Sequence, residues 1–293
     1  MKLTRFIIWP LIASSLLMIT ACGGGGGGGS IGSGEVSMSI TDAKPLLPEG
    51  ANQATNLTVT FTDILVHKSG GGWTSLPLTG DLPSTTIDLL QFYGENTTEI
   101  VPPVLLEYGK YTQIRIVVSE ARISFDDGLN WDPVVIPSEN LKTDKNFTFD
   151  PIDPAAADII IDFDLSQSLV VTDPFGTPSY KLKPVLHIVR ASEAATITGV
   201  IADQSYINYS TDEASITVFA NSEVYTEITV ERNPVPAEFT IFWLVPEQDY
   251  TVEIDMNPAD EDGAEWSQTV SGDDLEPGEE KDLGTILITN PPT

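Results

Sequence analysis

The sequence predicts an all-β protein, built as two tandem β-sandwich domains of the immunoglobulin or transthyretin-like type. Short runs of alternating apolar residues recur along the chain, and Gly, Pro, Asn and Asp separate them, which is typical of strands joined by turns. After the first 21 residues, no stretch has the apolar period of an amphipathic helix. About 260 residues follow the glycine run, which is enough for two domains of ordinary size.

Residues 1–21 have the pattern of a lipoprotein signal peptide. Lys2 and Arg5 precede an apolar stretch that is shorter than the ~20 residues of a membrane-spanning helix. The sequence Ile19-Thr20-Ala21-Cys22 resembles the bacterial lipobox, in which the cysteine is acylated, with palmitate among the acyl groups, and becomes the first residue after cleavage. The resemblance implies that the lipid on Cys22 holds the chain to a membrane.

Residues 22–34 follow as a glycine-rich tether, since the run from Gly23 to Gly29 has no side chains to bury. By resemblance to Gram-negative lipoproteins, a glycine after the acylated cysteine implies the outer membrane. The predicted location is therefore the cell envelope, with the domains facing the periplasm or the cell surface.

Composition restricts the possible partners. The formal charge of −29 becomes −31 when residues 1–21 leave, because they carry Lys2, Arg5 and no acid. Binding of nucleic acid needs clusters of Lys and Arg that this acidic chain lacks, so no nucleic-acid partner is expected. Cys22 is the only cysteine, which excludes an internal disulfide and leaves stability to the apolar cores.

Residues 35–190 are predicted to form the first β-rich domain. Apolar residues alternate from Val36 to Ile40, and a shift of apolar phase near Thr62-Asp63 predicts a β-bulge. Asp127-Gly128 supplies the positive φ values of a tight hairpin. Strands are predicted from Asp158 to Asp164 and from Tyr180 to Val189, and the second of them closes the domain.

Several motifs of this domain resemble one family of bacterial and archaeal lipoproteins, domain of unknown function 4382. The resemblance covers roughly residues 35–190, and it implies a domain boundary and an envelope location but no activity. Its motifs are Val36-Ser37-Met38-Ser39-Ile40-Thr41-Asp42-Ala43, Val66-His67-Lys68-Ser69-Gly70-Gly71-Gly72-Trp73, Tyr111-Thr112-Gln113-Ile114-Arg115, Asp162-Phe163-Asp164 and Leu182-Lys183-Pro184-Val185.

A short polar link from Ala191 leads to a second domain over residues 195–293. Seven short strands are predicted there, which is the count and spacing of an immunoglobulin-like or transthyretin-like sandwich. Thr196-Ile197-Thr198-Gly199-Val200 resembles the opening of carboxypeptidase-regulatory-type domains, and residues 239–252 resemble their paired central strands. The sequence departs from that family at Gln248-Asp249, where the family's turn usually has glycine.

The sequence offers little catalytic chemistry. His67 and His187 are its only histidines, and neither lies in a nucleophile motif, so a structural or solvent-facing role is expected for both. Asp162 and Asp164 are the best carboxylate pair, since residues two apart share one face of a strand at about 6.6 Å. That spacing is near the one glycosidases use, but any two acids on a solvated strand face would show it.

Acidic turns and exposed aromatic residues are candidates for ligand binding. Asp126, Asp127 and Asn130 form one candidate calcium turn, and Asp260 and Asp262 belong to a second, although neither turn has the spacing of an EF-hand. Asp and Asn are also ordinary turn residues. Trp73, which follows a glycine turn, and Trp131 are each predicted to be a sugar-binding platform or a core anchor. His67, on the other side of that turn, is a third candidate ligand-binding residue.

These observations predict a membrane-anchored envelope lipoprotein that acts as a non-enzymatic binding or structural module. Its expected partners are another surface protein or an extracellular polysaccharide. Two alternatives are an Asp162/Asp164 hydrolase of envelope or extracellular glycans and a calcium-dependent adhesion module. No catalytic residue and no cofactor other than possible calcium are expected.

Overall fold

The structure is a computed structural model, and it describes residues 32–42, 51, 53–80, 83–138, 140–142, 147–153, 158–173, 176–233, 235–256 and 264–289. The chain divides into two units, residues 1–31 and 32–293. The first unit lies outside the described residues, as do the predicted signal peptide and Cys22. All the described residues lie in the second unit.

The first half of this unit is almost entirely strand. Among the described residues of this half, the strands are β1 (Ser33–Thr41), β2 (Asn56–Lys68), β3 (Trp73–Leu76), β4 (Thr85–Asp88), β5 (Thr98–Glu107), β6 (Tyr111–Ser124), β7 (Asp132–Val135), β8 (Asn140–Lys142), β9 (Asp158–Asp164), β10 (Leu169–Thr172), β11 (Ser179–Leu182) and β12 (Val185–Arg190). They form a four-stranded sheet in the order β12-β9-β1-β5 and an eight-stranded sheet along β10-β11-β7-β6-β2-β3, with β4 beside β2 and β8 beside β6.

The alternating residues of these strands form the core between the two sheets. Val36, Met38 and Ile40 are fully buried, because β1 turns one face toward the larger sheet. The predicted bulge is confirmed, since the register between β2 and β6 shifts on both sides of Phe61. A hairpin is confirmed, since Asp127 and Gly128 both have positive φ between the antiparallel strands β6 and β7. It is not the tight hairpin predicted, because residues 125–131 connect the two strands.

The stretch from Tyr180 to Val189 is not one strand, and that prediction was wrong. It divides at Lys183-Pro184 into β11, which pairs with β10 and β7, and β12, which pairs with β9 in the other sheet. Proline has no N–H to donate to a ladder, so the chain leaves one sheet there and enters the other.

The second half of the unit contains the seven predicted strands in two sheets. They are β13 (Ala195–Ile201), β14 (Glu213–Ala220), β15 (Glu223–Glu231), β16 (Ala237–Leu244), β17 (Tyr250–Asp255), β18 (Trp266–Val270) and β19 (Glu280–Ile286). The orders are β16-β13-β19 and β15-β14-β17-β18, and a second apolar core lies between these sheets. The all-β prediction is therefore confirmed.

Two short α-helices interrupt the strands, although none was expected from the sequence. They are α1 (Leu165–Ser168) and α2 (Asp203–Tyr209). Tyr206 of α2 is fully buried and donates its hydroxyl to the Val230 carbonyl at 3.1 Å. Helices of four and seven residues are too short to show a helical period in the sequence.

The two halves are in contact through one face of β9. Ile161 and Phe163 point into the first core, while Asp162 and Asp164 lie on the opposite face of the strand. Beside that face, the Gln167 side chain of α1 donates to the Tyr225 carbonyl of β15, in the second half, at 3.1 Å. Asp162 and Asp164 are only 4% and 1% exposed, so the pair does not lie on a solvated strand face.

Candidate functional site

A cleft of about 520 Å³ opens where the two halves meet. One wall consists of Asp42, at the end of β1, and residues 93–96, which precede β5. The other wall consists of β16 residues up to Trp243, and Asp162 and Thr226 line the cleft between the walls. Each half therefore supplies one side of the cleft.

Asp42 organises the wall of the first half. Its backbone N–H donates to the Phe92 carbonyl at 2.9 Å, and its carbonyl accepts the Gly94 N–H at 3.0 Å. Its carboxylate accepts the Leu165 N–H at 3.1 Å, which joins the same residue to the start of α1. Asp42 is 1% exposed, so the loop at residues 93–96 is fixed by a buried anchor.

Trp243 connects the wall of the second half to that loop. Its indole Nε1 donates to the Gly94 carbonyl at 2.8 Å. Its φ is +60°, in the left-handed region that bulky residues rarely adopt, and the pairing of β16 with β13 shifts by one residue at this point. Such a bulge changes the direction of a side chain, and here it accompanies an indole that bonds across the boundary.

The cleft is acidic. Five carboxylates line it, and no Lys, Arg or His occurs among the described residues that line it. The five are Asp42, Glu95, Asp162, Glu231 and Glu238. Such a surface attracts cations and repels phosphate and sulfate groups.

Thr226 supplies a further polar group. Its side chain is on β15 and is 3% exposed, and its Oγ1 has no hydrogen-bond partner among the described residues. A buried hydroxyl that lacks a partner is uncommon, because losing its bond to water costs free energy. Thr226 therefore brings unused hydrogen-bonding capacity to the cleft.

His187 lies beside the cleft and joins the same two halves. Its Nε2 donates to the Tyr225 carbonyl at 2.9 Å, and it faces Asp162 across the β9–β12 pair. Burial lowers the pKa of His187, whereas the Asp164 and Asp162 carboxylates and the Tyr225 carbonyl raise it. The net pKa lies above the usual 6.5.

Asp164 has a different position from Asp162. Its carboxylate caps α1, accepting the Gln167 backbone N–H at 3.3 Å and the Ser166 hydroxyl at 2.5 Å. The Gln167 side-chain amide donates to its second oxygen, which also lies 3.9 Å from His187 Nε2. Only Asp162 of the pair lines the cleft. The two carboxylates predicted to act together are thus divided between a cleft and a helix cap.

His67 and Trp73 lie together, but away from the cleft lining. They are opposite each other on β2 and β3, with ring centroids 5.1 Å apart, and the His67 ring contacts the Thr112 hydroxyl. The Arg115 guanidinium covers the Trp73 ring at 4.1 Å. Trp73 is consequently half-buried and makes a cation–π contact within the protein.

Trp131 and the first acidic turn lie at the β6–β7 hairpin. Trp131 lines a separate depression of about 380 Å³. The Asp126 carboxylate accepts the Ser124 hydroxyl at 3.0 Å and the Asn130 backbone and side-chain N–H groups at 2.8 and 2.6 Å. These bonds, above all those from Asn130, lower the pKa of Asp126.

Calcium binding stays a prediction. The hydrogen bonds of Asp126 and Asn130 are those of an ordinary turn, while Asp260 and Asp262 lie outside the described residues. In the part of the chain that the structure describes, no group of three or more His, Cys, Asp or Glu side chains is arranged to hold a metal ion.

Among the described residues, no helix is both long and apolar enough to cross a bilayer.

Of the residues that form the cleft, sequence reasoning singled out Asp162 alone as a candidate site residue. Asp42 appeared only in a family motif, and Trp243 and Thr226 were ordinary members of predicted strands. Neither the left-handed Trp243 nor the unpartnered hydroxyl leaves a local sequence signal, because both depend on contacts between distant segments.

The protein is all-β, and its cleft lies where its two pairs of sheets meet. The chain belongs to the family described as Domain of unknown function (DUF4382), whose model matches residues 33–184. The match includes Asp42, residues 93–96 and Asp162. It ends before the half that supplies Thr226 and Trp243.

No curated protein matches the sequence. Among solved structures, the chain is similar to the Bacillus anthracis TIE protein, with 13% identity, a TM-score of 0.22, and coverage of 88% of this chain and 34% of the other. The chain therefore spans about a third of that structure's length.

Two further solved structures are similar over most of their own length. A putative adhesin from Bacteroides ovatus has 11% identity and a TM-score of 0.22, with 87% of this chain and 88% of the other covered. The fimbrial anchor protein Mfa2 from Porphyromonas gingivalis has 9% identity and a TM-score of 0.23, with 85% and 90% covered. TM-scores this low carry no weight for function.

Proposed function

We propose that this protein is an envelope lipoprotein, held to the outer membrane by lipid on Cys22, that acts as a non-enzymatic binding module. The cleft between its two halves is the proposed site for a surface protein or an extracellular polysaccharide. The lipobox-like sequence at Cys22 supports the anchor. Two sheets built from seven strands support assigning residues 195–293 to the carboxypeptidase-regulatory-like sandwiches.

One observation carries the choice of the cleft. Trp243 has an unfavourable positive φ, and its indole closes the cleft by donating to Gly94 of the other half. A strained backbone persists where surrounding contacts hold it, and such strain is concentrated at functional sites.

The composition of the cleft also favours binding. Tyr93 is 42% exposed at the rim, and Phe242 and Trp243 are half-buried beside it. Aromatic rings that combine apolar faces with a polar end are common where proteins bind partners. Carboxylates and Thr226 supply the polar groups that fix a ligand's orientation.

The positions of Asp162 and Asp164 support a non-enzymatic role. A hydrolase needs both carboxylates beside the bond that breaks, whereas Asp164 is engaged as the cap of α1. The described lining of the cleft contains no histidine that would activate Thr226 as a nucleophile.

An array of glycans and matrix proteins, probed with the full chain in detergent, tests this proposal. The variant Tyr93→Ala is expected to lose the ligand that the wild type retains, because the exposed ring forms the rim. Trp131→Ala is the matched control, since Trp131 lies in a different depression. Loss of binding in Trp131→Ala alone would place the site at the β6–β7 hairpin and contradict the proposal.

A further inference from the structure

The charges and burial along the cleft define the chemistry of its ligand more closely. The acidic residues that line the cleft come from both halves: Asp42, Glu95 and Asp162 from the first, and Glu231 and Glu238 from the second. The two halves therefore contribute to one negative electrostatic field. A ligand that enters this field with a positive charge gains electrostatic free energy, whereas an anionic polymer is repelled.

The deepest groups of the cleft are also its strongest acceptors. Asp42, Asp162 and Thr226 are 1%, 4% and 3% exposed, so they are the most buried polar groups of the cleft lining. The Thr226 hydroxyl adds an acceptor that no described group uses.

The rim differs in character from the floor. Tyr93, Phe242 and Trp243 present aromatic surface at the opening, and the acids lie at the floor and along both walls. Aromatic faces attract cations and pack well against methylene groups. The cleft thus matches a ligand with an apolar stem and a charged, hydrogen-bond-donating end.

We propose that the cleft takes a lysine or arginine side chain presented by a protein partner, with its cationic group at Asp42, Asp162 and Thr226 and its stem against the aromatic rim. This inference rests on the proposed binding function. A long flexible stem with a terminal cation is characteristic of these two side chains. An amino sugar has its amine directly on the ring, and so it lacks the stem that the buried floor requires.

Calorimetric titration of the full chain in detergent, with blocked peptides of the form Gly-Gly-Xaa-Gly-Gly, tests the inference. Xaa is lysine, arginine or norleucine, and ionic strength is held constant. We expect the lysine and arginine peptides to bind and the norleucine peptide to bind at least about tenfold more weakly, because it lacks charge-assisted hydrogen bonds. Equal binding of the norleucine peptide would overturn the inference.

Four variants separate the cleft from the general negative charge. Glu95→Gln and Glu238→Gln remove exposed cleft charges and should each weaken the lysine peptide several-fold. Thr226→Val should also weaken it while leaving the thermal midpoint equal or higher, because the removed hydroxyl has no partner in the described structure. Asp273→Asn, at an exposed position outside the cleft, should change nothing.

Two outcomes distinguish this inference from the proposed function. If a glucosamine oligomer binds and the basic peptides do not, the protein partner is wrong but the cleft remains the binding site. If no basic probe binds while Tyr93→Ala still abolishes an array ligand, the inference fails and the proposed function survives. Equal weakening in Asp273→Asn would attribute peptide binding to long-range charge and refute the cleft assignment.

Discussion

The imidazole of His187 stacks on the ring of Tyr225, with centroids 3.9 Å apart and planes inclined by 22°. His187 belongs to β12 of the first half and Tyr225 to β15 of the second. The Tyr225 ring in turn meets Tyr250 edge-on at 5.1 Å, inside the second core. This stack therefore links the four-stranded sheet of the first half directly to the core of the second.

The contact predicts how stability depends on pH. The Asp164 and Asp162 carboxylates and the Tyr225 backbone carbonyl keep the pKa of His187 above 6.5, although burial lowers it. A raised folded-state pKa gives stability that is complete below the unfolded pKa and is lost as pH rises through the folded pKa. Thermal melts of the wild type should therefore show a decrease in midpoint above about pH 6.5.

His187→Gln should remove that part of the pH dependence. His67→Gln is the matched control, because His67 contacts Trp73 and Thr112 within the first half. If the thermal midpoint of the His187→Gln variant depends on pH between 6 and 9 in the same way as that of the wild type, His187 is not the group responsible and the prediction is contradicted.

The indole hydrogen bond of Trp243 should contribute measurable stability. Trp243→Phe keeps a ring but removes the donor to the Gly94 carbonyl, which should lower the free energy of unfolding by about 1 kcal/mol. Trp131→Phe, away from the junction, should stay within about 0.5 kcal/mol. Urea denaturation measures both variants, and equal losses would show that the bond across the junction contributes nothing specific.

Separate folding of residues 35–190 and 195–293 stays a prediction, and the structure makes it sharper. Each half has its own apolar core, so each should melt cooperatively when expressed alone. The first half should melt at a lower temperature than the full chain, because it loses the stack of His187 on Tyr225 and the hydrogen bond from Gln167 to the Tyr225 carbonyl. Calorimetry of the three proteins tests this, and halves without any cooperative transition would refute independent folding.

Lipidation of Cys22 also stays a prediction. Cys22→Ser removes the thiol that takes the acyl group, so labelled palmitate should enter the wild type and not the variant. Ser30→Ala, in the same tether, is the control and should incorporate label normally. Equal incorporation into the Cys22→Ser protein would refute the lipobox assignment.

Local patterns in the sequence were sufficient for most of the strands. The alternation at Val36, Met38 and Ile40 identified β1 and its buried face, since a strand repeats every two residues. The shift of apolar phase located the bulge around Phe61, and Asp127-Gly128 located a hairpin, because both features are encoded by neighbouring residues.

Where the pattern was misleading, the cause lies in contacts between distant segments. Alternation shows which face of β9 enters a core, but not what covers the opposite face. Asp162 and Asp164 have the spacing of a solvated pair, yet both are buried, because Asp164 caps α1 and Asp162 lies where the two halves meet. The same limitation concealed α2, whose position depends on Tyr206 reaching Val230.

The sequence by itself determined an all-β chain, its strand-forming segments and a strongly acidic charge, because strand period, turn residues and charge are local properties. Only the tertiary structure decided that Asp42, Asp162, Thr226 and Trp243 share one cleft. Asp42 directly follows β1, the others lie on β9, β15 and β16, and no periodicity relates them. The burial of His187 against Tyr225 has the same origin, since packing of the two halves creates an environment that neither half has alone.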